Sequence, residues 1–270
     1  MSNTFLRRVA VGATEALRTA KRHAEDMMFA ERIEEHSFDG RRFKVTIADR
    51  IAEEWYGSDA AGPTEFALLT QRGLNSGGLV FDLGAHQGVV AMMLGARVGA
   101  AGRVVALEAT ARNAKIAQQN VEMNGVSNVE VLHAAVARSD GPVLFNQKRN
   151  GAIALVSHAG VQAVDGLSID TLAARYGVPD LVYMDIEGYE IEALKGAQKT
   201  LASRASWCIE VHGDEEIGKF GARNADVVDV FAKGFDLYWS PENNSAPFTP
   251  FSSAGGIPTD RFFLAAIRRE

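Results

Sequence analysis

The sequence predicts an α/β fold built on a largely parallel sheet. Two observations carry that expectation. Short apolar runs alternate with helix-length segments from residue 79 onward: LVFDL (79–83), RVVALE (103–108), LVYMD (181–185) and WCIEV (207–211). Strands separated by helices of this length are the signature of repeated βαβ units. The runs are also apolar throughout and do not alternate with polar residues, as expected of strands covered on both faces. The chain has 270 residues, of which 47% are hydrophobic and 23% charged, enough to bury one large core with extensions.

The elements follow in order. Residues 4–36 read as a helix, with Phe5, Val9, Ala13, Ala16 and Ala20 at helical spacing and Arg7, Arg8, Arg18 and Arg22 interspersed. That helix fits packing on the domain or on a second copy in a homodimer, a membrane-surface role, or a substrate lid. A strand-like stretch and mixed charge fill 41–56, a turn 57–62, and a helix 64–73 that ends at Gly73. Residues 1–63 are therefore expected to form a helical and strand extension, and 64–270 the main domain. Within it, helices are expected at 89–98, 111–123 (closed by Asn124-Gly125), 168–176, 189–203 and 222–233. Further strands are expected at 129–132, 235–239 and 262–267, giving seven in all. The last two lack an intervening helix and so form an antiparallel hairpin. Residues 137–165 read as irregular. The connection 241–258 carries Pro241, Pro247, Pro250 and Pro258, flanked or interleaved by Trp239, Phe248 and Phe251. It fits an apolar lid over an acceptor or a disordered loop.

Composition narrows the function. A net charge of −6 and a pI near 5.6 argue against a dedicated nucleic-acid binder, which is normally basic. The single cysteine, Cys208, excludes an intramolecular disulfide and a cysteine zinc site, and its apolar flanks make it a core residue. No uncharged apolar run approaches the ~18 residues of a membrane span. The N-terminus lacks the apolar core of a secretory signal. These features point to a cytoplasmic protein.

The first strand-to-helix junction reads Asp82-Leu83-Gly84-Ala85-His86-Gln87-Gly88. Glycines there let a ligand lie against the backbone at the mouth of a parallel sheet, and Glu108, ending the next strand, can accept both hydroxyls of a ribose. The spacing is G-x-x-x-G, not the dinucleotide G-x-G-x-x-G, with a carboxylate just before it. A carboxylate repels a pyrophosphate and suits a cationic ligand bearing an amino group. S-adenosylmethionine, with a sulfonium, an amine and a ribose, fits these charges.

The stretches VFDLGAHQGVVAMML (80–94), VVALEATARNAKIAQQNVEMNGVSNVEVLHAAVA (104–137), LSIDTLAARYGVPDLVYMDIEGYEIEALKGAQKTL (167–201) and IEVHG (209–213) resemble the FkbM family of class I S-adenosylmethionine-dependent methyltransferases. The most specific features are Asn113, Asn120 and Asn124 after Glu108, together with Asp185-Ile186-Glu187-Gly188. The chain departs from the family at Ala109, where proline is common, and at His86, where asparagine is frequent. The resemblance implies a Rossmann-like class I methyltransferase sandwich. It implies donor contacts at Asp82, Gly84, Ala85, His86 and Gly88, with the ribose on Glu108 beside Ala109. His86 would contact the donor carboxylate or cap the helix, Asn113 would support the turn after Glu108, and Ala135 and Val136 would flank the adenine. It further implies O-methylation of a hydroxyl on a natural product, sugar or glycolipid.

Methyl transfer is an in-line displacement that needs acceptor and donor held in line, and a hydroxyl acceptor must also lose its proton. Asp185, Glu187, Glu210 and His212 end two strands that should neighbour the first, so they are the candidate catalytic residues. Two mechanisms fit. Either His212 acts as a base oriented by Glu210 or Glu187, or Asp185 and Glu210, with or without His212, hold a Mg²⁺-like ion. The metal-free version is preferred, because the strand at 207–211 lacks a tight pair of metal-binding residues. Competing readings are an NAD-dependent oxidoreductase, disfavoured because Glu187 follows Tyr183 where a hydride-transfer pair needs lysine, and a non-catalytic binding protein that retains the fold.

Overall fold

The structure is a computed structural model that describes residues 29–72, 74, 76–146, 152–154, 161–241, 246–252 and 256–269. Its centre is an eight-stranded mixed sheet. β3 (Leu79–Leu83), β4 (Arg103–Glu108), β5 (Val129–His133), β10 (Leu181–Met184) and β11 (Ser206–Val211) run parallel. β14 (Phe262–Arg268) is antiparallel to β11, and β12 (Phe235–Pro241) is antiparallel to β14. A two-residue β13 (Thr249–Pro250) adds to β12, so the order is β13-β12-β14-β11-β10-β3-β4-β5. The antiparallel pair of 235–241 with 262–268 is as expected; the eighth strand comes from within the proline-rich connection.

Burial explains the uniformly apolar runs. Along β4, Val104 and Ala106 join the core on one face, and Val105 and Leu107 the core on the other. β10 splits the same way, with Leu181 and Tyr183 opposite Val182 and Met184. A strand with helices on both sides has no face left for water, so both phases of its pleat are apolar.

Three expectations are corrected. The helix read over 4–36 falls mostly outside the described residues, but its end is a strand: β1 (Arg32–Phe38) pairs antiparallel with β2 (Arg41–Ile47). Asp39 (φ 52°) and Gly40 (φ 73°) make the turn. Two positive φ values in succession are those of the tight hairpin turn that Asp-Gly favours, so the turn dipeptide outweighs the helical pattern before it. Residues 137–165 are not irregular throughout. β6 (Ala135–Val136), β7 (Gly141–Asn146), β8 (Ala152–Ile153) and β9 (Val161–Leu167) form a second, four-stranded sheet ordered β6-β9-β7-β8. The expected helix 189–203 is two shorter ones, Glu190–Lys195 and Gln198–Leu201. At the break, a Cβ on Gly196 would stand 2.6 Å from the Ala137 carbonyl oxygen.

The β1–β2 hairpin and the helix Arg50–Tyr56 pack onto the main sheet. Phe38, Phe43, Val45 and Ile47 share a core with Val80 and Met92. Arg97 holds Asp39 at the hairpin turn through two hydrogen bonds of 2.6 Å. The asparagines singled out in the sequence make the other ties. Asn124 accepts from the Lys44 N–H (2.8 Å) and donates to the Lys44 carbonyl (2.7 Å). Asn120, fully buried, accepts from the Thr46 N–H (2.9 Å) and donates to the Gln87 carbonyl (2.9 Å). A side-chain amide offers a strand the same donor and acceptor as another strand. Asn120 thereby joins the hairpin to the glycine turn. Among the described residues no helix is long and apolar enough to cross a membrane.

Candidate active site

At the carboxyl ends of β3, β4 and β10 lies an open cavity of ≈ 570 Å³. Parallel sheets bind ligands at this edge. Of the expected site residues, Gly84, His86, Glu108, Ala109, Ala135, Val136, Asp185 and Glu187 line it. Asp82, Ala85, Gly88, Asn113, Glu210 and His212 are not among the lining residues. Trp239, Phe248 and Phe251 are not either: they pack against the cores, contrary to the lid reading.

The glycine turn is held tightly. Gly84 and Ala85 both donate to the Leu107 carbonyl at 2.9 Å. Gly84 (φ 94°) passes so close to the end of β10 that an added Cβ would stand 1.8 Å from the Asp185 carbonyl oxygen. Gly88 (φ 80°) packs on the helix Ala111–Met123, where a Cβ would stand 2.9 Å from that of Ala117. Neither position tolerates a side chain, which gives both glycines a steric reason.

Glu108 is buried and lines the cavity. Its Oε2 accepts from the His86 N–H (2.9 Å) and its Oε1 from the Thr110 N–H (2.7 Å). A carboxylate offers about four acceptor positions, so lone pairs remain for ligand hydroxyls. Burial pushes Glu108 up to about 7, against the pull of the two N–H groups. Asp82, 2% exposed, has an Oδ2 with no hydrogen-bond partner. Burial, reinforced by the charges of Asp185 and Glu108, pushes it up to about 8. Asn113 is buried in the helix that follows Glu108.

The β1–β2 extension supplies one wall. Asp49 caps the helix Arg50–Tyr56 by accepting from the Ala52 N–H (2.8 Å), and its other oxygen accepts from Gln87 (3.1 Å) and Arg112 (3.1 Å). That fixes Trp55 over the site, its ring 5.0 Å from that of His86. His86 is buried against Tyr56, whose hydroxyl stands 3.2 Å from Nδ1, and burial holds its ring down to about 4, hence neutral at pH 7. The small sheet supplies Phe145 and Ile153 to the opposite chemistry of the lining, an apolar wall with Leu107, Ala134 and Ile186. Sequence reasoning missed Trp55, Phe145, Ile153 and Tyr189, because all but Tyr189 belong to segments whose fold it misjudged or left open. The one available signal was the tryptophan standing in a charged helix, RIAEEWY.

After β10 and β11, three acids surround one imidazole. His212 is buried; its Nδ1–H donates to Glu190 Oε1 (2.6 Å), whose side chain is also fully buried. Its Nε2 stands 3.3 Å from Asp185 Oδ1 and 3.5 Å from Glu187 Oε2. Burial disfavours the charged ring, but Asp185 and Glu190 outweigh it and raise His212 to about 11. For Asp185 desolvation likewise opposes the charge, and His212 more than offsets it, so Asp185 titrates below its usual range. Glu210 is pushed up to about 8 by burial and the charge of Asp185, and it meets Arg261 at 3.1 Å. Asp185 and Glu210 share a side-chain hydrogen bond, and Asp185, Glu187 and His212 bring their ligand atoms within 4.8 Å of one another.

These shifts predict a pH dependence of stability. Asp82 and Glu108 hold protons in the folded protein up to about 8 and about 7, whereas the unfolded chain releases them near 3.8 and 4.5. The folded state therefore binds more protons across that window, and stability falls as pH rises through it. His86 opposes this only below its ordinary value of 6.5. The ligand-free protein is expected to have a lower Tm at pH 8 than at pH 6.5. A Tm that rises over that interval, measured by calorimetry, would contradict the assignment.

A family model described as the methyltransferase FkbM domain matches residues 82–237. No curated protein matches the chain. Among solved structures, the chain is similar to methyltransferase FkbM from Methylobacillus flagellatus KT, at 16% identity and a TM-score of 0.47, over 70% of this chain and 43% of that one. This chain thus spans less than half the length of that relative. It is also similar to a SAM-dependent methyltransferase from Aquifex aeolicus (18% identity, TM-score 0.43, 77% of this chain and 90% of that one). A third is precorrin-6y C5,15-methyltransferase from Geobacter metallireducens GS-15 (13% identity, TM-score 0.45, 75% and 87%). With more than half of its length matched by the family model, the chain belongs to the FkbM methyltransferase domain family.

Proposed function

We propose that this chain is an S-adenosylmethionine-dependent O-methyltransferase acting on a hydroxyl of a small molecule such as a natural product, sugar or glycolipid. The observation that carries the reading is the charge of the cavity: Glu108, Asp185 and Glu187 line it, with no lysine or arginine. Such a lining favours a cationic donor and a neutral acceptor, and disfavours the phosphates of a dinucleotide or a nucleic acid. The family supports methyl transfer. The unpartnered Asp82 oxygen, the free lone pairs of Glu108 and the bare backbone at Gly84 fit the donor's amine, ribose and close approach.

When bound, S-adenosylmethionine supplies a methyl group on a sulfonium. Gly84, Asp82 and Glu108 would hold that donor, and the chemistry it would supply is transfer of the methyl to the acceptor oxygen. The hydroxyl proton leaves toward the acids at the cavity's edge. Asp185 and Glu187 face the cavity, whereas His212 stands behind them and is held charged. His212 is therefore a positioning residue for the two carboxylates and not the base itself. Trp55, Phe145 and Ile153 form the apolar walls against which an acceptor would stack.

The test is calorimetric titration with S-adenosylhomocysteine, with NAD as control, followed by a screen of hydroxylated acceptors. Binding of S-adenosylhomocysteine alone is expected; binding of NAD alone would overturn the reading. Trp55 offers a second readout, since it is 44% exposed at the cavity while Trp207 is fully buried. Binding is expected to change tryptophan fluorescence, and Trp55→Phe to remove most of that change. Trp55→Ala is expected to weaken binding by about tenfold, the order of one aromatic contact. A fluorescence change that persists in Trp55→Phe would place the ligand elsewhere.

A further inference from the structure

We propose that Asp185, Glu187 and His212 bind a divalent cation at the edge of the cavity. Acids alone are a weak argument, because exposed carboxylates cluster without holding metal. The imidazole is the independent observation. His212 is 4% exposed, and its Nε2 is buried with no hydrogen-bond partner among the described residues. It points between Asp185 Oδ1 and Glu187 Oε2, at 3.3 and 3.5 Å, without the alignment of a hydrogen bond to either.

The opposite side of the ring shows how Nε2 is aimed. Nδ1 lies 2.6 Å from the buried Glu190 carboxylate, which also accepts from the Gly188 N–H (3.0 Å). An ion here displaces the proton on Nε2, and the carboxylate on Nδ1 then keeps the freed lone pair aimed outward, the arrangement that orients histidines on metals. Spacing agrees as well. Neighbouring ligands on an ion with bonds of about 2.1 Å stand roughly 3.0–3.4 Å apart, close to the two separations at Nε2. One nitrogen and two carboxylate oxygens suit a borderline ion of the Mn²⁺ or Zn²⁺ kind better than Mg²⁺. Asp185 and Glu187 line the cavity and His212 does not, so the ion's remaining positions would face the acceptor.

The ion would supply Lewis acidity to the acceptor hydroxyl, whose proton then passes to water in place of a carboxylate. This role rests on the O-methyltransferase reading; the binding itself does not. The test therefore measures both separately. Chelator-treated protein is titrated with MnCl₂ and free Mn²⁺ is followed by electron paramagnetic resonance, while S-adenosylhomocysteine binding is measured on the same sample. One Mn²⁺ per chain is expected. Its affinity should fall about 100-fold in Glu187→Gln and in Asp185→Asn, and about 10–100-fold in Glu190→Gln, which touches the ion only through His212. Glu187→Gln, at a partly exposed position, keeps the test decisive if a variant of the buried Glu190 fails to fold. No Mn²⁺ binding in the parent, or binding unchanged in Glu187→Gln and Asp185→Asn, overturns the site. Mn²⁺ binding lost in both variants supports it, even where S-adenosylhomocysteine does not bind; that second result overturns only the donor reading.

Discussion

Alanine at position 84 is expected to destroy the donor site. The residue sits at φ 94°, where a side chain is strained. Its Cβ would stand 1.8 Å from the Asp185 carbonyl oxygen, 2.9 Å from that carbonyl carbon and 3.3 Å from Ile186 Cγ2. No rotamer relieves a clash between a Cβ and a backbone oxygen. Either β3 moves away from β10, breaking the parallel register of Asp82 with Tyr183 and Leu83 with Met184, or the turn leaves the Leu107 carbonyl that it caps. The loss should be on the order of 4 kcal/mol, among the larger single-residue effects. Thermal unfolding is expected to show a fall of roughly 10 °C, and calorimetry no measurable S-adenosylhomocysteine binding. Gly125→Ala is the control. Its φ is also positive, 62°, but nothing lies within 4 Å of the added carbon, so it isolates the backbone strain, about 1 kcal/mol. Equal losses in the two variants would mean that the close approach at Gly84 has no energetic weight.

Removal of the Glu108 carboxylate is expected to weaken S-adenosylhomocysteine binding by about 100-fold, since hydrogen bonds to a charged acceptor contribute about 1.5–3 kcal/mol. Two effects add in Glu108→Ala. The ligand's ribose hydroxyls lose their acceptor, and the N–H groups of His86 and Thr110 lose theirs. Glu108→Gln separates them. It keeps a carbonyl oxygen for one N–H and removes the charge, so its fold should hold while binding still weakens. Melting temperature and calorimetric affinity, read together, distinguish a lost ligand contact from a collapsed turn. Affinity unchanged in Glu108→Gln and Glu108→Ala, with both folded, would remove Glu108 from the donor site.

Much of the central fold is legible in the sequence, and the reason is local. β3, β4, β5, β10 and β11 are short runs of apolar residues bounded by turns, and each lies where its run predicts within a residue or two. A strand buried on both faces signals itself without knowledge of its neighbours. The turn at Gly84 is legible for the same reason, because glycine there answers a local demand. The hairpin of β1 and β2 was legible in principle. Its Asp39-Gly40 turn is an explicit signal, outweighed by a helical pattern that ran past it. The small sheet of β6 to β9 was harder. Its strands are short, its β7 is largely open to solvent, and its pairs join residues 135–136 with 166–167 and 141–146 with 161–166. No window of neighbouring residues contains that pairing.

The candidate site divides along the same line. The sequence by itself determined which chemistry is present: an acid before a glycine turn, an acid at the end of the next strand, and acids with a histidine after two more. It did so because each residue stands at the end of a strand that local pattern identifies. Only the tertiary structure decided which of them meet. Glu210 lies two residues before His212, yet it turns to Arg261, while the imidazole faces Asp185 and Glu187 across a neighbouring strand. Glu190, absent from every sequence argument, orients the ring. Trp55 reaches the cavity because Asn120, Asn124 and Asp49 fasten a hairpin and a helix from far upstream onto the sheet. Strand identity is a property of neighbouring residues; the meeting of side chains depends on register and on hydrogen bonds between distant segments, and these exist only once the chain has folded.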